Sequence, residues 1–512
     1  MSSCGKFLEE YSLDQKYAET AEDLNKLMVG EAFINNVYIS VSDYNTMSSL
    51  TADNGITLPW LHVMDDDSEQ FAVDVVSTDQ TSPWNMLAGF HNWEQAPGVN
   101  ILNQTWEDVA WRKIYKRVGA INAIIFQAED LISKNKDIEL SKHIQGEAYF
   151  LRAYYYFLLQ NLYGSPFKIS TAETDMGVPL KVSEKVEDDY FSRDNNQKVY
   201  NQIISDLKTA EELLEGYQPS TKLRVGIGAV RALQSRVYLY TEQYNEAIAA
   251  AADVEKMEYA LSNLNTYVAN TNFTHRTSSE TIFTMGSNEI PAIFMNDSIS
   301  RFNGNDNRAS AFKISDDLIN TFSGNDLRLK AFFYQSAKNK AWLPVKYRTW
   351  ATYNDTEQVS CTFSFRFAEV LLNSAEAFVM SGDENSARSE LQKIISNRYS
   401  SNVQLPQDKN ELIDFIRAER RRELCFEGHR WFDLRRYSVN SQYPLSKDFA
   451  IRHHSYSYDA PTNTHTITGY YELKNSSEDA AAWQVPIPDY AIEFNRGSLI
   501  NPIRPIRNVK PL

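Results

Sequence analysis

The chain has 512 residues, 43% of them hydrophobic, enough to bury a large core as one big domain or as two to three smaller ones. Its formal net charge of -16 disfavours DNA, RNA and anionic lipid as main partners. Its three cysteines exclude a disulfide framework, and no apolar run reaches the roughly 18 residues a membrane span requires.

Cys4 stands behind Met1-Ser2-Ser3 and before Gly5, with no core in reach. Small residues ahead of a near-terminal cysteine look like the end of a bacterial lipoprotein signal, the alternative being an exposed terminal thiol. Helical periodicity then predicts helices over Ala18–Phe33, Asn103–Ile132 and Lys136–Tyr163, the last stopped by Gly164-Ser165-Pro166. Further helices are predicted over Asn195–Leu214, Gly228–Thr241 and Tyr244–Lys256. The last group runs over Phe365–Met380, Glu384–Arg398 and Glu411–Tyr437. Short strands are predicted at Thr281–Met285 and Thr464–Leu473, where β-branched and aromatic residues gather. Cys361 and Cys425 could pair with each other or stay free and buried, and they read as free, buried thiols.

Two of these helical pieces look alike. A helix breaks and restarts with alanine in its first turn at Leu239–Ala247, and the same happens at Val379–Ala387, 140 positions later. Small residues at such a turn let antiparallel helices pack closely, as tetratricopeptide-type repeats do; an ordinary bundle is the alternative.

Between the helical zones lie Ser48–Val99, Glu258–Thr362 and Ser438–Trp483, far longer than the roughly 12–15 residues a compact domain leaves unstructured. Loops on a rigid scaffold commonly carry binding sites. Trp60, Trp84 and Trp93 fall in the first of these zones and Trp342, Trp350 and Tyr353 in the second. Flat aromatic faces beside Asn, Arg and Asp suit sugar rings, while packing as loop anchors is the competing role for each. Asp65-Asp66-Asp67 with Glu69 offers oxygen ligands for calcium, or else an exposed acidic turn. His453-His454 and His465 read as solvated histidines rather than a metal site. No catalytic motif stands out, and no cofactor is implied.

Residues 417–436 read R-A-E-R-R-R-E-L-C-F-E-G-H-R-W-F-D-L-R-R, seven Arg against four acids in an acidic chain. On one helix Ile413, Ile416, Leu424, Trp431 and Leu434 share a face with Arg420, Glu423 and Glu427. The three-residue spacings Arg420–Glu423, Glu427–Arg430 and Arg430–Asp433 predict pairing along that helix. A phosphate-binding helix needs unpaired arginines, so the run reads as a buried ion-pair seam between helices rather than a ligand site.

This run resembles the signature of the SusD/RagB family of outer-membrane nutrient-binding lipoproteins. Gln145–Ala153 leading to Leu162-Tyr163-Gly164, Phe365–Leu372, and Trp483–Pro488 followed by Asn501-Pro502 resemble further family segments, in family order. The resemblance implies a mostly α fold: a tetratricopeptide-like helical repeat scaffold with a large loop-rich ligand-binding region. On that reading 1–512 form a single domain, with scaffold over about 18–47, 103–257 and 363–437 and loop regions over about 48–102, 258–362 and 438–485. It also implies a non-enzymatic protein anchored on the outer membrane, at the cell surface, through lipid on Cys4. Such a protein captures oligosaccharides for a SusC-like TonB-dependent transporter. A peptide-binding member of the family and a helical scaffold for protein partners are the alternatives. The family's ligand-contacting positions are not part of its signature, so the six loop aromatics stand on their chemistry alone.

Overall fold

A computed structural model describes residues 18–35, 57–70, 83–99, 103, 105, 108–185, 190–268, 273–294, 312–335, 340–346, 359–459, 461–462 and 464–512. Its longer helices are α1 (Ala21–Leu27), α2 (Pro83–His91), α3 (Ala110–Ser133), α4 (Ile138–Tyr163), α5 (Asn196–Leu213), α6 (Ile227–Tyr240) and α7 (Tyr244–Glu255). They continue with α8 (Phe367–Ser381), α9 (Glu384–Arg398), α10 (Lys409–Leu424) and α11 (Arg430–Val439). The mostly α expectation holds.

The helix-rich body is a series of antiparallel neighbours. Helix α4 packs between α3 and α5, and almost its whole surface from Ile144 to Tyr163 is buried. Close approach fixes Gly146, where an added Cβ would stand 2.6 Å from Leu214 Cγ. Its charges are spoken for: Arg152 is bidentate to Asp206 at 2.6 and 2.8 Å, and Glu147 is bidentate to Arg224 at 2.5 and 2.8 Å. The family-like segment Gln145–Ala153 is therefore a packing element.

The two look-alike hairpins are α6–α7 and α8–α9, and the offset of 140 is kept at both starts, Ile227 to Phe367 and Tyr244 to Glu384. Each turn uses a left-handed backbone residue, Glu242 with φ 59° and Gly382 with φ 89°. Helix α8 lies against both α7 and α9. Arg236 on α6 reaches Glu369 on α8 with bonds of 2.5 and 2.7 Å, so the repeats are pinned as well as packed.

Among the described residues, four two-stranded antiparallel sheets carry the intervening regions. β1 (Ser68–Gln70) pairs with β3 (Phe312–Ile314), β2 (Thr281–Thr284) with β6 (Ser364–Arg366), β4 (Phe333–Gln335) with β5 (Trp342–Pro344), and β7 (Ala450–Asp459) with β8 (Thr464–Lys474). Both expected strands are present. The expected helix at Phe365 instead begins at Phe367, because Phe365 and Arg366 join β6, and the one at Asn103 begins only at Ala110. Helix α2 lies inside a zone read as irregular, where helical periodicity is too short to register.

The largest departure is at the signature. The single helix expected over Glu411–Tyr437 is two, α10 and α11, broken where Phe426 takes φ 58° and Gly428 φ 74°. Gly428 sits close under Leu61 and Thr362, so this turn is set by packing against the first loop region and the segment before β6.

Candidate functional site

The break between α10 and α11 decides where the signature charges go. Glu423 accepts Arg398 Nε at 2.8 Å, Arg366 Nη1 at 3.1 Å and Arg328 Nη1 at 3.3 Å. Glu427 is bound by Arg366 at 2.5 and 2.9 Å and by Lys346. Arg420 donates to Asp433 at 2.7 Å and to Asn373 at 2.6 Å, while Arg430 clamps Asp66. The expected pairs Arg420–Glu423, Glu427–Arg430 and Arg430–Asp433 do not form among the described residues. The turn at 425–429 sends Glu427 and Arg430 in different directions, and long-range partners offer fork geometry that a helix neighbour does not. Within the run, helix-spaced pairing is confined to Arg422–Glu419 and Arg436–Asp433.

The buried-seam reading survives this correction with a wider reach. Burial pushes the carboxyl of Glu423 up, but Arg398 and Arg366 outweigh it and hold it well below the usual carboxylate range. Asp66 behaves alike, burial opposed and overcome by Arg421 and Arg430. The partners Asp66, Asp67, Asp317, Asp326 and Lys346 all lie in or beside loop-region segments. The brace thus holds the loop face onto the helices.

The loop aromatics divide by burial. Trp60 is fully buried, stacked 5.0 Å from Phe90 with planes 3° apart. Trp93 is 1% exposed, donates from Nε1 to the Met64 carbonyl at 2.9 Å and stacks on His453 at 4.3 Å. Trp84 packs against Phe312 and the edge of His91. These three rings are spent on anchoring the first loop region and present no free face for a sugar. Trp342 is different: it is half-buried on β5, opposite Gln335. Trp350, Tyr353 and the lipidation candidate Cys4 lie outside the described residues.

Of the polar residues named from the sequence, Asp65, Asp67, Glu69 and His453 are buried and His454 is partly exposed. Arg421 donates to Asp67 at 2.7 Å and Arg430 clamps Asp66, so two of the three carboxylates have guanidinium partners. Glu69 faces Lys313, His454 and Tyr456 instead. His453 is 1% exposed, with its ring nitrogens 2.6 and 2.9 Å from the carbonyls of His91 and Asp65. His465 lies on β8. Cys361 and Cys425 are free and buried as expected, and burial pushes the Cys361 thiol up to about 12.

Two concave surfaces lie beside α3 and the C-terminal segment. One, of about 570 Å³, is lined by Phe90, Pro97, Asp108, Ile487, Tyr490 and Arg504. The other, of about 670 Å³, is lined by Trp111, Tyr115, Phe191 and Tyr490 with Arg112 and Lys116 at its rim. Aromatic faces with flanking cations suit hydroxylated or anionic rings. Trp111 and Tyr115 sit at helical spacing, which reads as core in the sequence, and Trp111 is indeed largely buried.

The comparisons bear on the whole chain. A model of the SusD family matches residues 254–502, and one described as starch-binding associating with outer membrane matches residues 7–239. No curated protein matches the chain in sequence. Among solved structures, a putative sugar binding protein from Bacteroides vulgatus ATCC 8482 is 22% identical, with 95% of this chain and 99% of that one covered at a TM-score of 0.69. A SusD superfamily protein from Bacteroides thetaiotaomicron VPI-5482 is 21% identical, with 94% and 99% covered at 0.67. A SusD-like carbohydrate binding protein from Bacteroides vulgatus ATCC 8482 is 17% identical, with 94% and 97% covered at 0.65. With residues 254–502 and 7–239 both matched by models of the family, the chain belongs to the SusD family.

Proposed function

We propose that the chain is a cell-surface, outer-membrane lipoprotein that captures an oligosaccharide on its loop face and passes it to a SusC-like TonB-dependent transporter. The observation that carries this reading is the match of residues 7–239 to the family described as starch-binding associating with outer membrane. The acidic balance fits a neutral ligand better than nucleic acid. Among the described residues no helix is long and apolar enough to cross a membrane. Lipid on Cys4 is the proposed attachment.

The binding chemistry asked of the protein is stacking and hydrogen bonding, without turnover. Trp342, half-buried and packed against the core, is the described candidate of the six that is not fully buried, and Trp350 and Tyr353 remain proposed with it. A rigid platform of this kind loses little entropy on binding, because an indole has only two side-chain torsions. Delivery requires a ligand held firmly enough to collect yet released on docking, which argues for a few aromatic contacts rather than a closed cage.

Isothermal titration against a panel of oligosaccharides and a panel of peptides tests the reading. Binding to one glycan class, with no new reducing ends after prolonged incubation, is the expected result. Binding confined to peptides, or release of reducing ends, overturns it.

A further inference from the structure

Beneath the loop face, three side chains that neither the brace nor the proposed sugar site uses meet in the interior. His62 comes from the turn Pro59–Val63, Glu289 from the residue before the short helix Ile290–Phe294, and Cys361 from the segment leading into β6. One donor atom from each lies within 4.8 Å of the other two. All three residues are at most 3% exposed.

The geometry is that of a ligand set. His62 Nε2 and Cys361 Sγ are 3.6 Å apart. A tetrahedral ion bound at about 2.0–2.1 Å by nitrogen and about 2.3 Å by sulfur sets an N···S edge of about 3.5 Å. Glu289 Oε1 accepts the Thr57 N–H at 3.3 Å, whereas Oε2 has no hydrogen-bond partner among the described residues. Burial pushes the Glu289 carboxyl up to about 7, a cost of the charged form that a cation bound at Oε2 would offset. Asp66 shows the contrast, since Arg430 holds both of its oxygens. A fourth donor is at hand: Thr362 Oγ1 is 2.9 Å from His62 Nε2 and 3.6 Å from Cys361 Sγ.

We propose that His62, Glu289 and Cys361 form a buried site for a divalent ion of the zinc class, with the Thr362 hydroxyl or a water as fourth ligand. Imidazole, thiolate and one carboxylate make the mixed donor set that zinc accepts, whereas calcium and magnesium take shells of oxygen. The thiol and the carboxyl give up their protons to solvent as the ion enters, so binding weakens at low pH. Its consequence is structural. The ion ties together residues 62, 289 and 361, three segments far apart in the chain, under the face that is proposed to hold the sugar.

The experiment uses the tag-free full chain, made in zinc-supplemented medium under reducing conditions, with metal content measured after dialysis. Co²⁺ is then exchanged in and the thiolate-to-cobalt charge-transfer band is read. About one zinc per chain and a strong cobalt band are expected. Both should be lost in Cys361→Ser and kept in Cys4→Ser. Glu289→Gln, nearly isosteric, should weaken zinc binding at least about tenfold and carries the test if Cys361→Ser does not fold. Wild-type protein without zinc and without a cobalt band overturns the proposal, as does a band unchanged by both Cys361→Ser and Glu289→Gln. Either result leaves the contact as a hydrogen bond between thiol and imidazole.

Discussion

Arg430 clamps Asp66 through Nε and Nη2, each at 2.7 Å, across 364 residues of chain. One partner belongs to the signature run and the other to the first loop region, so the bond couples the scaffold to the surface it carries. Asp66 also faces Arg421 at 3.3 Å, which makes it a shared counter-charge rather than half of an isolated pair.

Replacing Arg430 by Ala should cost about 3 kcal/mol of stability, because the largely buried Asp66 carboxylate loses a bidentate donor. Chemical denaturation reads this directly. Coupling shows in a double-mutant cycle with Asp66→Asn, where the second substitution should cost less than it does alone. Full additivity would mean the two groups do not act as a pair.

Glu423→Gln should be more severe, about 3–5 kcal/mol, since it leaves Arg328, Arg366 and Arg398 short of a buried counter-charge. The exposed pair Lys134–Asp130 supplies the control. Removing it should change stability by under about 0.5 kcal/mol.

The brace should also set the acid limit. Asp66, Glu419, Glu423 and Asp433 all have folded-state values below the ordinary carboxylate range, so they bind protons more weakly folded than unfolded. Their stabilisation is present in full above about pH 4–5 and is lost progressively as pH falls through their depressed values. Melting temperature measured from pH 7 downward should therefore drop steeply below about pH 4. In Glu423→Gln the drop should be shallower.

Trp60→Ala and Trp93→Ala should each destabilise by about 3–5 kcal/mol, as core truncations do. Trp342→Ala, on a half-buried strand position, should leave the melting temperature close to wild type and weaken glycan binding by about 1–3 kcal/mol. Calorimetry and titration on the three variants separate packing from recognition. A stable Trp93→Ala that has lost ligand would reverse the assignment.

Gly428→Ala probes the turn that splits the signature. With φ 74° and an added Cβ at 3.2 Å from Leu61 and 3.3 Å from Thr362, it combines backbone strain with crowding, and about 1–3 kcal/mol should be lost. Circular dichroism should show the helix content nearly unchanged. The damage is to how α10 and α11 meet, not to either helix.

By itself the sequence determined the helical scaffold, the repeat with its offset of 140, the two strands and the fact that the signature charges are buried and paired. These are local properties: a 3.6-residue period, a turn with small residues, and the rule that charges on an apolar face require partners. Only the tertiary structure decided who those partners are. Glu423 finds Arg366, 57 residues away, and Arg421 finds Asp67, 354 residues away, because fork geometry is satisfied by whatever the fold brings near and leaves no spacing to read. The same holds for the loop tryptophans. An indole between polar residues reads alike whether it stacks on Phe90, as Trp60 does, or stands half open, as Trp342 does, since burial depends on segments far away in the chain.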